Sequence, residues 1–275
     1  VLKAMEEAGL RPDIIVGTSM GAIIGGLYSV GYSADELDSL VRTQKWNELL
    51  TNKIPLNELN FENKYYHERF QLTVPIKKGK IKLPSGIIEG QKLQALLSGL
   101  TLRQHHIEKF EDYPISFNCV GTNIETGQVK YFQVGDLAKC MRASMALPTA
   151  FSPVKIDGEL YIDGGVVENF PIQRAKEMGA DYIIGVNVGS GYDTGEKVNS
   201  MINTLVQAAF LVSLSKLEEQ KEMTDLYIEP DIKSFSTGGF EDAIPILEKG
   251  IEIGLANKEK FKSIAEKYHR NKEIN

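Results

Sequence analysis

Hydrophobic positions along the chain fall into two rhythms: short runs of β-branched and aromatic residues, and longer stretches in which apolar side chains return every three or four positions. Val1, Leu2, Met5 and Ala8 have the second rhythm, with Gly9 placed as a C-cap. Arg11-Pro12-Asp13 then turns the chain into Ile14-Ile15-Val16, a short buried strand. Gly17 to Gly21 reads as a tight turn, and Ala22 to Val30, apolar on all sides and rich in small residues, as a helix packed closely on a sheet. Ser33-Ala34-Asp35-Glu36 caps a further helix that runs to about Arg42.

From Trp46 to Phe110 the pattern loosens. A polar, aromatic segment (Phe61, Tyr65, Tyr66, His67, Phe70) leads to a hairpin with Lys77-Lys78-Gly79-Lys80 at its tip, then to a helix from Glu89 to about Leu100. This stretch, 46–110, is the expected substrate-access cap. Regular order returns with the strand pair Ile115 to Asn123 and Gln128 to Val134 around Glu125-Thr126-Gly127, and a helix from Leu137 to Ala146 stopped by Pro148. A strand from Leu160 to Ile162 ends at Asp163. Helix Ile172 to Met178, strand Tyr182 to Val188, a long helix around Met201 to Glu222, strand Leu226 to Ile228 and a last helix from Ala243 follow. The tail after Ala265 is polar and reads as solvated and frayed.

Strands alternating with helices predict an α/β fold, a three-layer α/β/α arrangement around a mixed, mostly parallel central sheet. The 275 residues, 42% of them hydrophobic, are read as one domain, 1–275, large enough to bury an extensive core. Thirty-one Lys and Arg against thirty-seven Asp and Glu leave a net charge of −6 without a block of basic residues, which argues against a nucleic-acid partner. The acidic balance does make Lys77, Lys78, Lys80 and Lys82 conspicuous, and a peripheral contact with anionic lipid is the functional reading of that hairpin, beside the plainer one of a solvated turn. Cys119 and Cys140 lack ligand or disulfide spacing and read as buried free thiols. No apolar run reaches the roughly 18 residues of a membrane span, and Met201 to Leu217 carries too many polar residues to be one. Val1 opens inside a helical pattern, so the native N-terminus is expected upstream.

Gly17-Thr18-Ser19-Met20-Gly21 matches GxSxG, in which glycines relieve the crowding of a strand-to-helix turn and expose a serine at its apex. Chance produces the motif in roughly one chain in eight of this composition, so context decides. Here it lies between a β-branched run and an Ala/Gly/Ile helix, the setting that makes Ser19 a candidate nucleophile. The helix behind it would aim backbone N–H groups, first that of Met20, at a developing anion. A serine needs a base. His67, His105, His106 and His269 all lie on polar segments and read as surface histidines. The order Ser19, Asp163, His269 mimics an α/β-hydrolase triad, but that fold needs several strands ahead of its elbow and only one precedes Ser19. Asp163 is the better base: it ends an apolar strand, opens Asp163-Gly164-Gly165, and in an apolar pocket would have a raised pKa.

With these residues in view the chain resembles the patatin-like phospholipases, serine acyl hydrolases with a Ser/Asp dyad. The likeness spans nearly the whole chain and rests on Gly17-Thr18-Ser19-Met20-Gly21, Ala143-Ser144-Met145-Ala146-Leu147-Pro148, and Asp163-Gly164-Gly165 with Asn169-Phe170-Pro171. It implies Ser19 and Asp163 as catalytic residues, the Met20 N–H as part of the oxyanion hole, and Gly17, Gly21, Gly164 and Gly165 as supports. It also implies a glycine-rich loop, upstream of Val1, that completes the oxyanion hole. The chain is similar in particular to patatin domains that some bacterial proteins carry ahead of an outer-membrane β-barrel. The expected activity is hydrolysis of a phospholipid or other lipid ester, with no metal or organic cofactor. The alternative is a catalytically weak domain that binds lipid or a protein partner within a larger outer-membrane or secreted protein. Oligomeric state and compartment stay open.

Overall fold

A computed structural model describes residues 1–49, 76–77, 80–81, 88–189, 201–235 and 242–274. The chain opens with helix α1 (Leu2–Glu7), strand β1 (Ile14–Thr18), helix α2 (Met20–Ser29), helix α3 (Ala34–Thr43) and the short α4 (Trp46–Leu49). A capping box starts α3: the Ser33 Oγ accepts the Glu36 N–H at 3.2 Å while the Ser33 N–H donates to Glu36 Oε2 at 2.8 Å. Strands β2 (Ile76–Lys77) and β3 (Lys80–Ile81) pair antiparallel, as the hairpin reading predicts. The lysine side chains there, and residues 50–75, lie outside the described residues.

Helix α5 (Gln91–Thr101), strand β4 (Ser116–Asn123), strand β5 (Val129–Phe132) and helix α6 (Leu137–Ser144) follow, then the hairpin β6 (Val154–Ile156) and β7 (Glu159–Asp163). The remainder comprises α7 (Ile172–Glu177), β8 (Ile184–Val186), α8 (Met201–Ser215), α9 (Leu217–Glu222), β9 (Leu226–Ile228), α10 (Ala243–Ala256) and α11 (Lys258–Ile274). Among the described residues no helix is long and apolar enough to cross a membrane.

The architecture is the α/β one expected. Strand β4 is its axis, and Phe117 on it packs against α2 through Gly25 and Gly26. Helices α2, α5 and α6 contribute Leu27, Leu93, Leu97 and Met141 to the same core. The opposite face takes α7, whose Arg174 Nε donates to Asn118 Oδ1 at 2.9 Å from the alternate side of β4. The sheet is mixed, but antiparallel pairings outnumber parallel ones in it among the described residues: only β1 with β4 is parallel, while β5 and β7 both run against β4 and β6 runs against β7. Two hairpins, β4–β5 and β6–β7, account for this, because a short turn can join only antiparallel strands. A separate parallel pair, β8 with β9, lies outside this sheet.

Four further expectations change. Strand β6 is additional. The long helix breaks at Lys216 into α8 and α9. The tail past Ala265 is not frayed coil: α11 continues to Ile274, held by the stripe Phe261, Ile264 and Tyr268 facing the small core around α1 and β9. The stretch 46–110 is not all cap, since Leu93, Leu97 and Phe110 are core residues. Cys119 and Cys140 are buried and unpaired, as expected.

Candidate active site

The registers of β4 explain how two distant motifs meet. Gly17 and Phe132 both pair with Cys119, and Asp163 and Lys130 both pair with Gly121, so β5 occupies one side of β4 throughout. Strands β1 and β7 therefore share the other side, end to end. Being parallel and antiparallel to β4, they run toward each other: β1 stops at Thr18 opposite Val120, and β7 stops at Asp163 opposite Gly121. Their carboxyl ends converge on one step of β4, and Ser19 and Asp163 stand at the junction.

Ser19 is the single residue between β1 and α2, a sharper turn than the five residues the sequence suggests. Its φ of 55° and ψ of −119° put a non-glycine residue in a region that costs on the order of 1–3 kcal/mol and persists only where the surroundings enforce it. Gly17 makes the turn possible, because a Cβ there would stand 2.3 Å from the Gly21 carbonyl oxygen. Gly21 itself faces open space, so what the motif needs from it is a backbone that closes on Gly17. The Ser19 N–H donates to Ser144 Oγ at 2.9 Å. The Met20 N–H opens the ten-residue α2 and points from the positive end of its dipole.

Asp163 is 1% exposed, accepts the Gly165 N–H at 2.7 Å and lies beside the Ser19 side chain. Burial away from water pushes its carboxyl up from 3.8 to about 7, and the nearby Ser19 side chain and the Gly165 N–H only partly oppose the rise. Close packing fixes the turn that follows: a Cβ on Gly164 would lie 2.3 Å from the Val120 carbonyl oxygen, and one on Gly165 would lie 2.6 Å from Phe210 of α8. Two ties bind the motifs further. Thr18 Oγ1 donates to the Glu168 carbonyl at 3.0 Å, and the Asp163 N–H donates to the Ala146 carbonyl at 3.0 Å. Glu168 in turn accepts the Tyr131 hydroxyl at 2.5 Å.

His105 and His106 are exposed, and the side chains of His67 and His269 lie outside the described residues. Among the described residues no cluster of three or more His, Cys, Asp or Glu side chains has the arrangement of a metal site. Sequence reasoning treats Ser144 only as part of a family block and passes over Arg142. That arginine is 3% exposed and donates to the Glu89 carbonyl at 3.1 Å and, more weakly, to that of Ser152 at 3.4 Å, with its guanidinium 4.8 Å from the Phe151 ring centre. Thr149 is also unforeseen: it holds φ at 71°, at the third position of a turn closed by the Ala150 N–H on the Leu147 carbonyl at 3.2 Å.

The family model described as patatin-like phospholipase matches residues 1–176. The chain belongs to that family. Among relatives of this patatin-like chain, the lysophospholipase nte1 of Emericella nidulans is 27% identical over 288 residues, 96% of this chain and 17% of its own length. The lysophospholipases NTE1 of Coccidioides immitis and Scheffersomyces stipitis are 28% and 25% identical, each over 279 residues, 92% and 91% of this chain and 16% of each relative. The chain thus spans about one sixth of the length of these fungal relatives. The crystal structure of VipD from Legionella pneumophila superposes with a TM-score of 0.47 at 15% identity, covering 95% of this chain and 63% of that one.

Proposed function

We propose that this chain is a lipid acyl hydrolase that cleaves carboxylic esters with Ser19 and Asp163. The Ser19 Oγ attacks the ester carbonyl as its proton passes to Asp163, and the negative charge that collects on the former carbonyl oxygen meets the Met20 N–H at the start of α2. Asp163 then hands the proton to the departing alcohol. The acyl-serine left behind is hydrolysed by a water whose proton Asp163 accepts, which releases the fatty acid and returns the proton to Ser19. The names of the fungal relatives make a lysophospholipid or phospholipid the substrate class of choice. The reading is supported by the meeting of Ser19 and Asp163 where β1 and β7 end on one step of β4, and by a buried carboxyl kept near neutral pKa. A base so poised is half ionised close to physiological pH and strong enough to take a hydroxyl proton in the transition state.

Labelling with a fluorophosphonate probe, alongside hydrolysis of a lysophospholipid, tests it. Wild type should label quickly, and Ser19→Ala and Asp163→Asn should each abolish turnover, with the double variant no worse than either, because members of one proton-transfer unit are not additive. An Asp163→Asn variant that retains more than a few per cent of activity refutes the dyad. A wild type that binds lipid vesicles but neither labels nor turns over marks a binding domain instead.

A further inference from the structure

Ser144 lies far from Ser19 in sequence, on the last residue of α6, yet its side chain is the partner of the Ser19 backbone. We infer that Ser144 is a positioning residue for the nucleophile, whose Oγ captures the Ser19 N–H and so sets the backbone from which the Ser19 hydroxyl reaches Asp163. The inference rests on the dyad reading above.

Position explains the need. Pairing between β1 and β4 ends at Thr18, and α2 begins at Met20. The Ser19 N–H falls between the two and has no place in either pattern of main-chain hydrogen bonds. The conformation is also the strained one, so a donor left loose at this point would let the backbone relax toward ordinary angles and swing the hydroxyl away. A serine at a helix end ordinarily bonds a carbonyl of its own preceding turn. Ser144, fully buried, instead accepts across the interface at 2.9 Å. Two residues later the Ala146 carbonyl takes the Asp163 N–H. One short stretch, residues 144–146, therefore holds the backbones of both dyad partners.

This role has a signature that plain structural support lacks. Among the described residues the groups acting on the Asp163 carboxyl are the Ser19 hydroxyl, from the junction of β1 and α2, and the Gly165 amide, from its own turn; Phe210 of α8 and Asn169 pack against that turn. The Ser19 hydroxyl favours the ionised carboxylate. If Ser144 is lost and that hydroxyl drifts, burial acts with less opposition and the carboxyl should titrate at a higher pH.

The test uses the whole chain, with a short-chain nitrophenyl ester, at about pH 5 to 9, and fluorophosphonate labelling to count competent sites. Ser144→Ala should lower kcat per labelled site by about tenfold to a hundredfold with KM within about twofold, and move the midpoint of the kcat/KM profile upward. Ser144→Thr, which keeps the oxygen, should recover most of the rate. Should the added methyl unfold that variant, Ser144→Cys, with a weaker acceptor of similar size, should fall between Ala and wild type. An unchanged midpoint together with a rate that falls only in proportion to the labelled fraction overturns the inference. Hydrolysis that survives Ser19→Ala would sink the dyad itself, whereas hydrolysis abolished by Ser19→Ala but untouched by Ser144→Ala sinks only the role of Ser144.

Discussion

Replacing Asp163 with asparagine should yield a protein that is inactive and, above neutral pH, more stable than wild type. Burial holds this carboxyl at about 7 against its ordinary 3.8, and at 1% exposure water screens almost none of the effect. Each pH unit of such a difference is worth 1.36 kcal/mol, so the ionised carboxylate weakens the folded state by roughly 4 kcal/mol once both folded and unfolded forms are deprotonated. The sign follows from proton counts. Between about pH 4 and 7 the native state keeps a proton that the unfolded chain has lost, so this group's contribution falls as pH rises through that window. Below it both states are protonated and the penalty vanishes. Asparagine has the same shape, can still accept the Gly165 N–H and carries no charge at any pH. Urea unfolding followed by circular dichroism at about pH 4.5, 6 and 8 provides the comparison. The variant should lead by only about 1 kcal/mol at the lowest pH and by roughly 2 to 4 kcal/mol at the highest, the lower figure allowing for relaxation around the charge. Its ester turnover should fall by about a thousandfold or more, while wild-type kcat/KM climbs with a midpoint near 7. A stability gap that does not change with pH, or a wild type that stays the more stable at pH 8, refutes the claim that the carboxyl is destabilised by burial.

Two more predictions concern the frame. Arg142→Ala should reduce stability by about 2 to 4 kcal/mol, since it opens a cavity beside Phe151 and strips the Glu89 and Ser152 carbonyls of a donor. Arg142→Met, which fills the space without burying a charge, should lose less than half of that in the same urea titration; an equal loss means the hydrogen bonds dominate over the packing. Gly17→Ala should leave little folded protein, because its methyl would stand 2.3 Å from the Gly21 carbonyl oxygen, whereas Gly21→Ala, which meets open space in a helix, should melt at or slightly above the wild-type temperature. Similar melting temperatures for both variants would contradict the elbow geometry.

Much of the candidate site is legible in the sequence because local chemistry marks it. Ser19 and Asp163 each close an apolar strand and are flanked by glycines whose close approaches do occur at Gly17, Gly164 and Gly165. Helix ends are legible for the same reason, as at Ser33 and Glu36, where two side chains three residues apart carry the whole signal. The balance of parallel and antiparallel strands is not, since it depends on which strands become neighbours, and nothing in the residues of β7 names β4 as its partner. Val154-Lys155-Ile156 is too short for alternation to register. In α11 the buried stripe straddles the point where composition turns polar, so composition alone misreads it. Ser144 and Arg142 act through long-range contacts, and their roles exist only once the chain has folded.

The meeting of β1 and β7 along a single side of β4 has a consequence for how such a protein can change. The spacing of Ser19 and Asp163 is ruled by the pleat of one strand, and a slip of a single residue would carry Asp163 by about 3.3 Å and turn it to the opposite face of the sheet. The turn that joins β4 to β5 carries no such responsibility. An insertion at the tip of the β4–β5 hairpin around Thr126 would lengthen the path of the chain without altering the number of peptide units that separate Val120 from Gly121. Natural variation therefore has room to accumulate at that hairpin tip, while an insertion within the eight residues of β4 would break the register that brings Ser19 and Asp163 together.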